Sequence, residues 1–294
     1  MIQRQFEHDL FSAIQQKLDD DLQRAKLHAI AGGQTHQAFR LESNHAPLFL
    51  KLNSSDNKAV LESEYQSLCL LAETSVADLY PSPVFLLEVG DVVVMGMTFL
   101  AMADIDSLNA RRSAHGLIKH HQVQAPRYGW SANNFIGASP QRNDFSDSWL
   151  AFFRNQRLLP QLAMARGNGL DLALQEKIQT VADVLQNYLP TTVQPCLLHG
   201  DLWSGNLAYS THYNGLALYD PAPYYGDPES DIAMTTLFGQ LPKEFYLEYR
   251  QYFDVPNNEH VLHSVYNLYH ALNHFNLFGS SYELMIKRLL DFIN

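Results

Sequence analysis

The chain has 294 residues, 46% hydrophobic and 12% aromatic, enough to bury a sizeable core as a two-lobed enzyme or as two small domains. Its 20 Lys and Arg stand against 31 Asp and Glu for a formal net charge of −11, which argues against a nucleic-acid partner held by a basic face. No stretch has the low hydrophobicity and high charge of a disordered segment, and the apolar run Val92–Leu100 is far too short to span a membrane.

The N-terminus carries Glu7 and Asp9 with no long apolar run, so no secretory leader is expected. Cys69 and Cys196 both lie among apolar residues and read as buried thiols of a reducing compartment. A cytoplasmic protein with no membrane partner is the expectation.

Phe6, Leu10, Ile14 and Leu18 recur four apart and predict an amphipathic helix that packs, with Asp19-Asp20-Asp21 at its end. Strand, turn, strand follow as Leu27–Ala31, Gly32-Gly33-Gln34-Thr35-His36 and Ala38–Leu41. A glycine hairpin of this kind can lay backbone N–H groups over a nucleotide phosphate, although such hairpins are common without that role. Pro47–Leu52 predicts a strand whose alternation sets Lys51 opposite Leu50 and Leu52. A helix is predicted over about Lys58–Glu73, with Leu61, Leu68 and Leu71 on one face and Glu64 among them. A carboxylate there suits an ion pair that holds Lys51 toward a phosphate, whereas Glu62 turns away from that stripe. After Tyr80-Pro81-Ser82-Pro83, two strands surround a turn at Gly90-Asp91. These elements form a small five-stranded sheet with one helix. Met95-Gly96-Met97-Thr98-Phe99 is where the chain would pass to a larger helical lobe and where backbone would hydrogen-bond an adenine. The division expected is therefore 1–96, a nucleotide-binding lobe, and 97–294, a catalytic and substrate-binding lobe.

Ser107–His121 predicts a helix bearing His115, His120 and His121. Adjacent histidines point to different faces, so a metal site is not favoured. Tyr128–Gln141 is irregular and rich in aromatic, amide and glycine residues, more like a shaped binding loop than a connector. Trp149–Arg157 and Asp171–Tyr188 predict helices.

Leu197-Leu198-His199-Gly200-Asp201-Leu202-Trp203-Ser204-Gly205-Asn206, followed by Tyr219-Asp220-Pro221, carries the chemistry. An aspartate, an asparagine five residues on and a second aspartate after a strand-turn-strand have the spacing of a kinase catalytic loop and its metal aspartate. One carboxylate faces the acceptor hydroxyl; an amide oxygen and another carboxylate face Mg²⁺. Beyond it, Pro221–Asp231 is turn-rich and leads into a helix at Ile232, with Asp231 set to cap that helix or to tie the catalytic loop. Tyr246–Ile293 predicts helix, with His274 on an aromatic background where a satisfied core histidine is the commoner role.

These residues resemble the fructosamine kinases, or ketosamine-3-kinases, of the aminoglycoside/choline-kinase-like branch of the kinase fold. The resemblance runs from Ala31 to Leu289. It rests most on the catalytic stretch with its Trp203, and further on Asn134-Phe135-Ile136-Gly137, Pro140-Gln141, Asp220-Pro221-Ala222, Glu229–Met234 and Leu237-Phe238-Gly239. It implies an α+β, bilobal protein-kinase-like fold and ATP- and Mg²⁺-dependent phosphorylation of the sugar 3-hydroxyl of a small-molecule or protein-bound ketosamine. The phosphorylated adduct then breaks down and releases the amine, a repair of glycation. By position, Asp201 is implied as catalytic base, Asn206 and Asp220 as Mg²⁺ ligands, Lys51 as phosphate-binding lysine and Glu64 as its partner. Trp203 and His274 are implied to line the sugar site beside Asp201. The nucleotide site is expected to draw on Gly32, Gly33, Gln34, Thr35, His36, Lys51, Met95, Met97 and Phe99. Three departures are visible: the glycine loop has no cysteine, Gly96 stands where relatives usually have glutamate, and His36-Gln37 replaces Asn-Gln or Asn-Glu. The alternatives are a kinase of choline-like or aminoglycoside-like alcohols, or a non-catalytic nucleotide-binding protein. A monomer or weak homodimer is expected.

Overall fold

The computed structural model describes residues 4–18, 22, 24–30 and 36–293. The turn Gly32-Gly33-Gln34-Thr35, expected to meet phosphate, lies outside the described residues. The chain divides into two compact units, 1–102 and 103–294.

The first unit holds α1 (Arg4–Leu18), β1 (Lys26–Ile30), β2 (Gln37–Glu42), β3 (Leu48–Ser54), α2 (Lys58–Ala72), β4 (Pro83–Val89) and β5 (Val92–Thr98). The strands form one antiparallel sheet in the order β1-β2-β3-β5-β4. Alternation decides what each face carries. Leu50 and Leu52 join Phe39, Leu41, Phe85, Val89 and Val94 in an apolar cluster with Leu10 and Ile14 of α1. The sheet thus carries two helices rather than the one expected, because the four-residue apolar spacing of α1 has this face to cover. The intervening residues Lys51, Val93 and Met95 project to the other face. There α2 packs against β3, β4 and β5 and buries Leu61, Leu68 and Leu71.

The stretch expected to connect the lobes is strand as far as Thr98. β5 lies between β3 and β4, so Met95 pairs with Lys51 and Leu86, and Met97 with Phe49 and Pro83. Phe99 N donates to Pro47 O at 3.1 Å. These bonds hold 97–99 to the sheet, and the compact units divide at 102/103. Gly96 faces Phe85 across the ladder, and a Cβ there would lie 2.4 Å from the Phe85 ring. The space a larger residue would take is filled by that ring.

Past β6 (Met102–Ala103), the second unit comprises α3 (Ala110–His121), β7 (Asn134–Ile136), β8 (Ser139–Gln141), α4 (Trp149–Phe153), α5 (Leu159–Gly167), α6 (Leu172–Asp183), β9 (Cys196–Leu198), β10 (Leu207–Ser210), β11 (Gly215–Leu218), β12 (Tyr224–Gly226), α7 (Glu229–Met234), α8 (Lys243–Tyr249), α9 (Glu259–Phe278) and α10 (Glu283–Ile293). Long and mostly buried, α9 packs against α5, α7 and α10. The helix expected over Trp149–Arg157 is instead α4 followed by a π-helical turn at Arg154–Leu158. The C-terminal helical run is broken twice, between Tyr249 and Glu259, where Asn258 takes a left-handed φ of 55°, and at Gly279, with φ 85°. Asp171 caps α6 by accepting from Ala173 N and Leu174 N.

The amide-rich segment expected to be a binding loop is internal bracing. Asn134 Nδ2 donates to Pro223 O at 3.0 Å, Gln141 Nε2 to Ala222 O at 3.1 Å, and Tyr269 Oη to Gln141 Oε1 at 2.5 Å. Its polar residues are there because the chain following Asp220 has buried carbonyls to satisfy. Cys69 and Cys196 are free thiols, and burial pushes Cys196 up to about 12. No helix among the described residues is long and apolar enough to cross a membrane.

Candidate functional site

In the first unit, Lys51 Nζ lies 2.6 Å from Glu64 Oε1, with both side chains nearly buried at 7% and 11% exposure. The geometry follows from register and helical spacing together: Lys51 leaves the α2 face of β3, and Glu64 sits between Leu61 and Leu68 on the inward stripe of α2. A lysine this buried is costly without an anion. The rival Glu62 is exposed and pairs with Lys58 at 3.3 Å. His36 is joined to Asn53 through Nδ1 at 2.9 Å from Asn53 Nδ2.

In the second unit, the catalytic stretch leaves β9 as a loop clamped by one carboxylate. Asp231, 2% exposed, accepts from His199 N at 2.7 Å and Gly200 N at 3.0 Å. Its Oδ2 also meets His121 Nε2 at 3.2 Å, whose Nδ1 is 2.8 Å from Tyr249 Oη. Burial pushes the Asp231 pKa up, but the His121 hydrogen bond and charge outweigh it and hold the group below the ordinary carboxylate value. Of the two roles expected for Asp231, the structure shows the loop tie. His120 and His121 are both fully buried at the end of α3, and with Asp231 their ligand atoms lie within 4.8 Å of one another. Asp231 is already engaged by two backbone N–H groups.

Gly200 is required by conformation and by space. Its φ is +83°, and a Cβ would fall 2.0 Å from Ala222 O. His199 Nε2 donates to Tyr219 O at 2.9 Å and Ala222 N donates to His199 O at 2.9 Å. These cross-links tie the chain that follows β11 to the loop, and Tyr219 N donating to Asn206 O at 3.1 Å closes the base of the β10–β11 hairpin, which brings Asp220 back to the loop. Asn206, buried, donates from Nδ2 to Asp201 O at 2.9 Å and to Asp201 Oδ2 at 3.1 Å. Its Oδ1 is thereby left as an oxygen donor. Burial, then the Asp220 charge, pushes the Asp201 pKa up to about 7, while the Asn206 hydrogen bond opposes the rise. Asp220 itself takes a left-handed φ of 55°, a conformation a non-glycine residue adopts at a cost. The Asp220 carboxylate and the Asn206 amide oxygen are hard-oxygen donors of the kind a divalent cation takes. The Asp220 charge, which adds to burial in raising Asp201, is what such an ion would neutralise, so the residues fit Mg²⁺.

Trp203 is 36% exposed and lies over Gly205, where a Cβ would meet the indole at 2.2 Å. Its ring centroid is 6.1 Å from that of Phe238, which is 4.5 Å from His274. His274 Nδ1 donates to His270 O at 2.9 Å, which leaves Nε2 as an acceptor. Burial lowers its pKa, favouring the neutral ring. Trp203 and His274 thus belong to one aromatic cluster, joined through Phe238. The sequence reading did not assign Phe238 a contact, nor did it single out Phe278 and Tyr282, which adjoin His274 at 5.7 and 5.2 Å. The spacing of 274, 278 and 282 by fours was the available signal.

The fructosamine kinase family matches residues 7–293. A probable ketoamine kinase of Synechocystis is 36% identical over 89% of this chain and 88% of its own. The chloroplastic protein-ribulosamine 3-kinase of Arabidopsis thaliana is 32% identical over 92% of this chain and 82% of its own. A crystal structure from Haemophilus somnus, assigned to the fructosamine-3-kinases, superposes with a TM-score of 0.82 at 24% identity, covering 99% of both chains. The fold is the expected α+β, protein-kinase-like one.

Proposed function

Because the chain belongs to the fructosamine kinase family, we propose that it uses ATP to phosphorylate the sugar 3-hydroxyl of a ketosamine, free or carried on a protein. The observation that carries the reading is the Asp201, Asn206 and Asp220 constellation, with Asp201 pushed up to about 7. Burial and the neighbouring Asp220 charge raise the proton affinity of that carboxylate, which suits it to take a proton in the transition state. Asp201 accepts the hydroxyl proton as the acceptor oxygen bonds to the γ-phosphorus and the bond to ADP breaks. Lys51, steadied by Glu64, holds charge on the phosphates.

Asn206 Oδ1 and the Asp220 carboxylate would hold Mg²⁺. Bound there, the ion spreads the charge of the transferring phosphoryl group. Gly32, Gly33, Gln34, Thr35 and His36 offer backbone N–H groups to the phosphates. Met95, fully buried on the sheet face of Lys51, backs the nucleotide site from within the sheet. Since the backbones of Met95 and Met97 belong to the sheet and Phe99 N is held by Pro47 O, the adenine edge falls to Phe99 beyond its N–H and to the chain that follows it. Trp203 covers the apolar side of the sugar, and His274 Nε2 accepts from a sugar hydroxyl. Loss of the phosphorylated sugar frees the amine, so the step repairs glycation in the cytoplasm, with no nucleic acid or membrane involved.

The test is Mg²⁺-dependent ADP release from ATP with ribulosyl-lysine, fructosyl-lysine, choline and an aminoglycoside side by side. Release with the ketosamines alone is expected, with Asp201→Asn lowering kcat by about 10²–10⁴-fold while nucleotide binding persists. Release only with choline or the aminoglycoside overturns the substrate class. Unchanged turnover in Asp201→Asn removes the base.

A further inference from the structure

The aromatic cluster beside the catalytic loop extends further than a sugar needs. Trp203 stands two residues after Asp201, and from it rings run through Phe238 and His274 to Phe278 and Tyr282. Phe278 and Tyr282 also touch each other at 5.9 Å, and Tyr282 reaches Phe238 at 6.5 Å. Phe278, at the far end, is 42% exposed. A five- or six-carbon sugar spans roughly 6–8 Å at about 1.5 Å per carbon–carbon bond. The step from Trp203 to Phe238 alone is 6.1 Å, so a sugar whose hydroxyl faces Asp201 is covered by the first rings of the run.

The remaining rings fit the other half of the acceptor. In a ketosamine the nitrogen is on C1, two carbons from the reacting C3, and whatever the nitrogen carries must leave the site toward solvent. The run ends in solvent at Phe278. Its faces are those of π rings, and burial keeps the central His274 neutral, so a protonated secondary amine meets attraction there. The partly buried rings of Phe238, His274 and Tyr282 join two exposed ones, Trp203 and Phe278, in one run of contacts, unlike the singly scattered apolar residues of an ordinary surface. Gly279, with φ +85°, ends α9 and turns the chain so that Tyr282 faces back onto His274.

We propose that Phe278 and Tyr282, beyond the rings that cover the sugar, form a subsite for the amine-bearing part of the acceptor, selecting adducts whose nitrogen carries an extended apolar or aromatic chain over adducts of small amines. The proposal rests on the ketosamine reading of the same site. It is tested with ribulose adducts of methylamine, n-butylamine and phenethylamine on the intact protein. The ratio of kcat/KM for the phenethylamine adduct to that for the methylamine adduct is expected to be about tenfold, carried by KM, and to fall severalfold in Phe278→Ala and in Tyr282→Ala. Tyr282→Phe should keep the ratio, because it keeps the ring. Phe278 is half exposed, so its truncation tests the subsite even where Tyr282→Ala fails to fold. Equal kcat/KM for the three adducts in the parent protein overturns the subsite and leaves the kinase reading standing, as does a ratio untouched by Phe278→Ala. Absence of turnover with every adduct removes the kinase reading and the subsite with it.

Discussion

Gly200 shows how one residue is constrained from two directions. Glycine is tolerated where φ is positive, and here the backbone of Ala222 also occupies the place of a side chain. Gly200→Ala is therefore expected to cost at least about 3 kcal/mol, read as a lowered urea midpoint. A midpoint within error of the parent would show that the loop can move away from Ala222. The sequence shows a glycine directly before Asp201, where a loop that presents Asp201, Asn206 and Asp220 from one side has to bend. It did not indicate the carbonyl behind the bend, which arrives from beyond the β10–β11 hairpin. Asp231 was legible in the same partial way. Its two roles were visible in the turn-rich approach to α7, and the choice between them needed the positions of His199 N and Gly200 N.

At the scale of elements, strand β3 and helix α2 were readable because each obeys one period. Alternation singles out Lys51, and the 61, 64, 68, 71 stripe singles out Glu64. The π-helical turn was not readable, because its reason lies in what Arg157 meets. Fully buried, Arg157 donates to Arg142 O and Asn143 Oδ1, both at 2.6 Å, and its guanidinium lies 3.9 Å from the Tyr224 ring centroid. Arg157→Leu strands those acceptors and is expected to cost about 2–4 kcal/mol. It should also disturb the β7–β8 segment, whose Asn143 also bonds Asn134. Chemical denaturation together with hydrogen exchange over 132–143 measures both effects. A stable variant with unchanged exchange there would refute the bracing role.

Over the whole molecule, the groups that titrate oddly set a pH response. Burial, then the charge of a neighbouring carboxylate, raises Asp201 from 3.8 to about 7, and burial chiefly raises Asp227 to about 6. A raised folded-state pKa means the folded chain binds the proton more tightly than the unfolded chain. The stability these groups contribute is full below about pH 4 and is lost as pH rises through 6 to 7. Mg²⁺ binds the ionised form, so millimolar Mg²⁺ is expected to raise Tm by about 2–4 °C at pH 8, with little effect at pH 5. Asp220→Asn should abolish the shift. Equal shifts at both pH values would place the ion elsewhere. What the sequence determined by itself was whatever depends on neighbours along the chain: strand alternation, helical stripes and the spacing of Asp201, Asn206 and Asp220. Only the tertiary structure decided which backbone atoms Asp231 ties, why Gly96 lies against Phe85, why the amides of 134–143 turn inward, and that aromatic rings continue past His274. These depend on which distant segments become neighbours, and a buried polar group or a bulky ring is settled by the partner that folding brings to it.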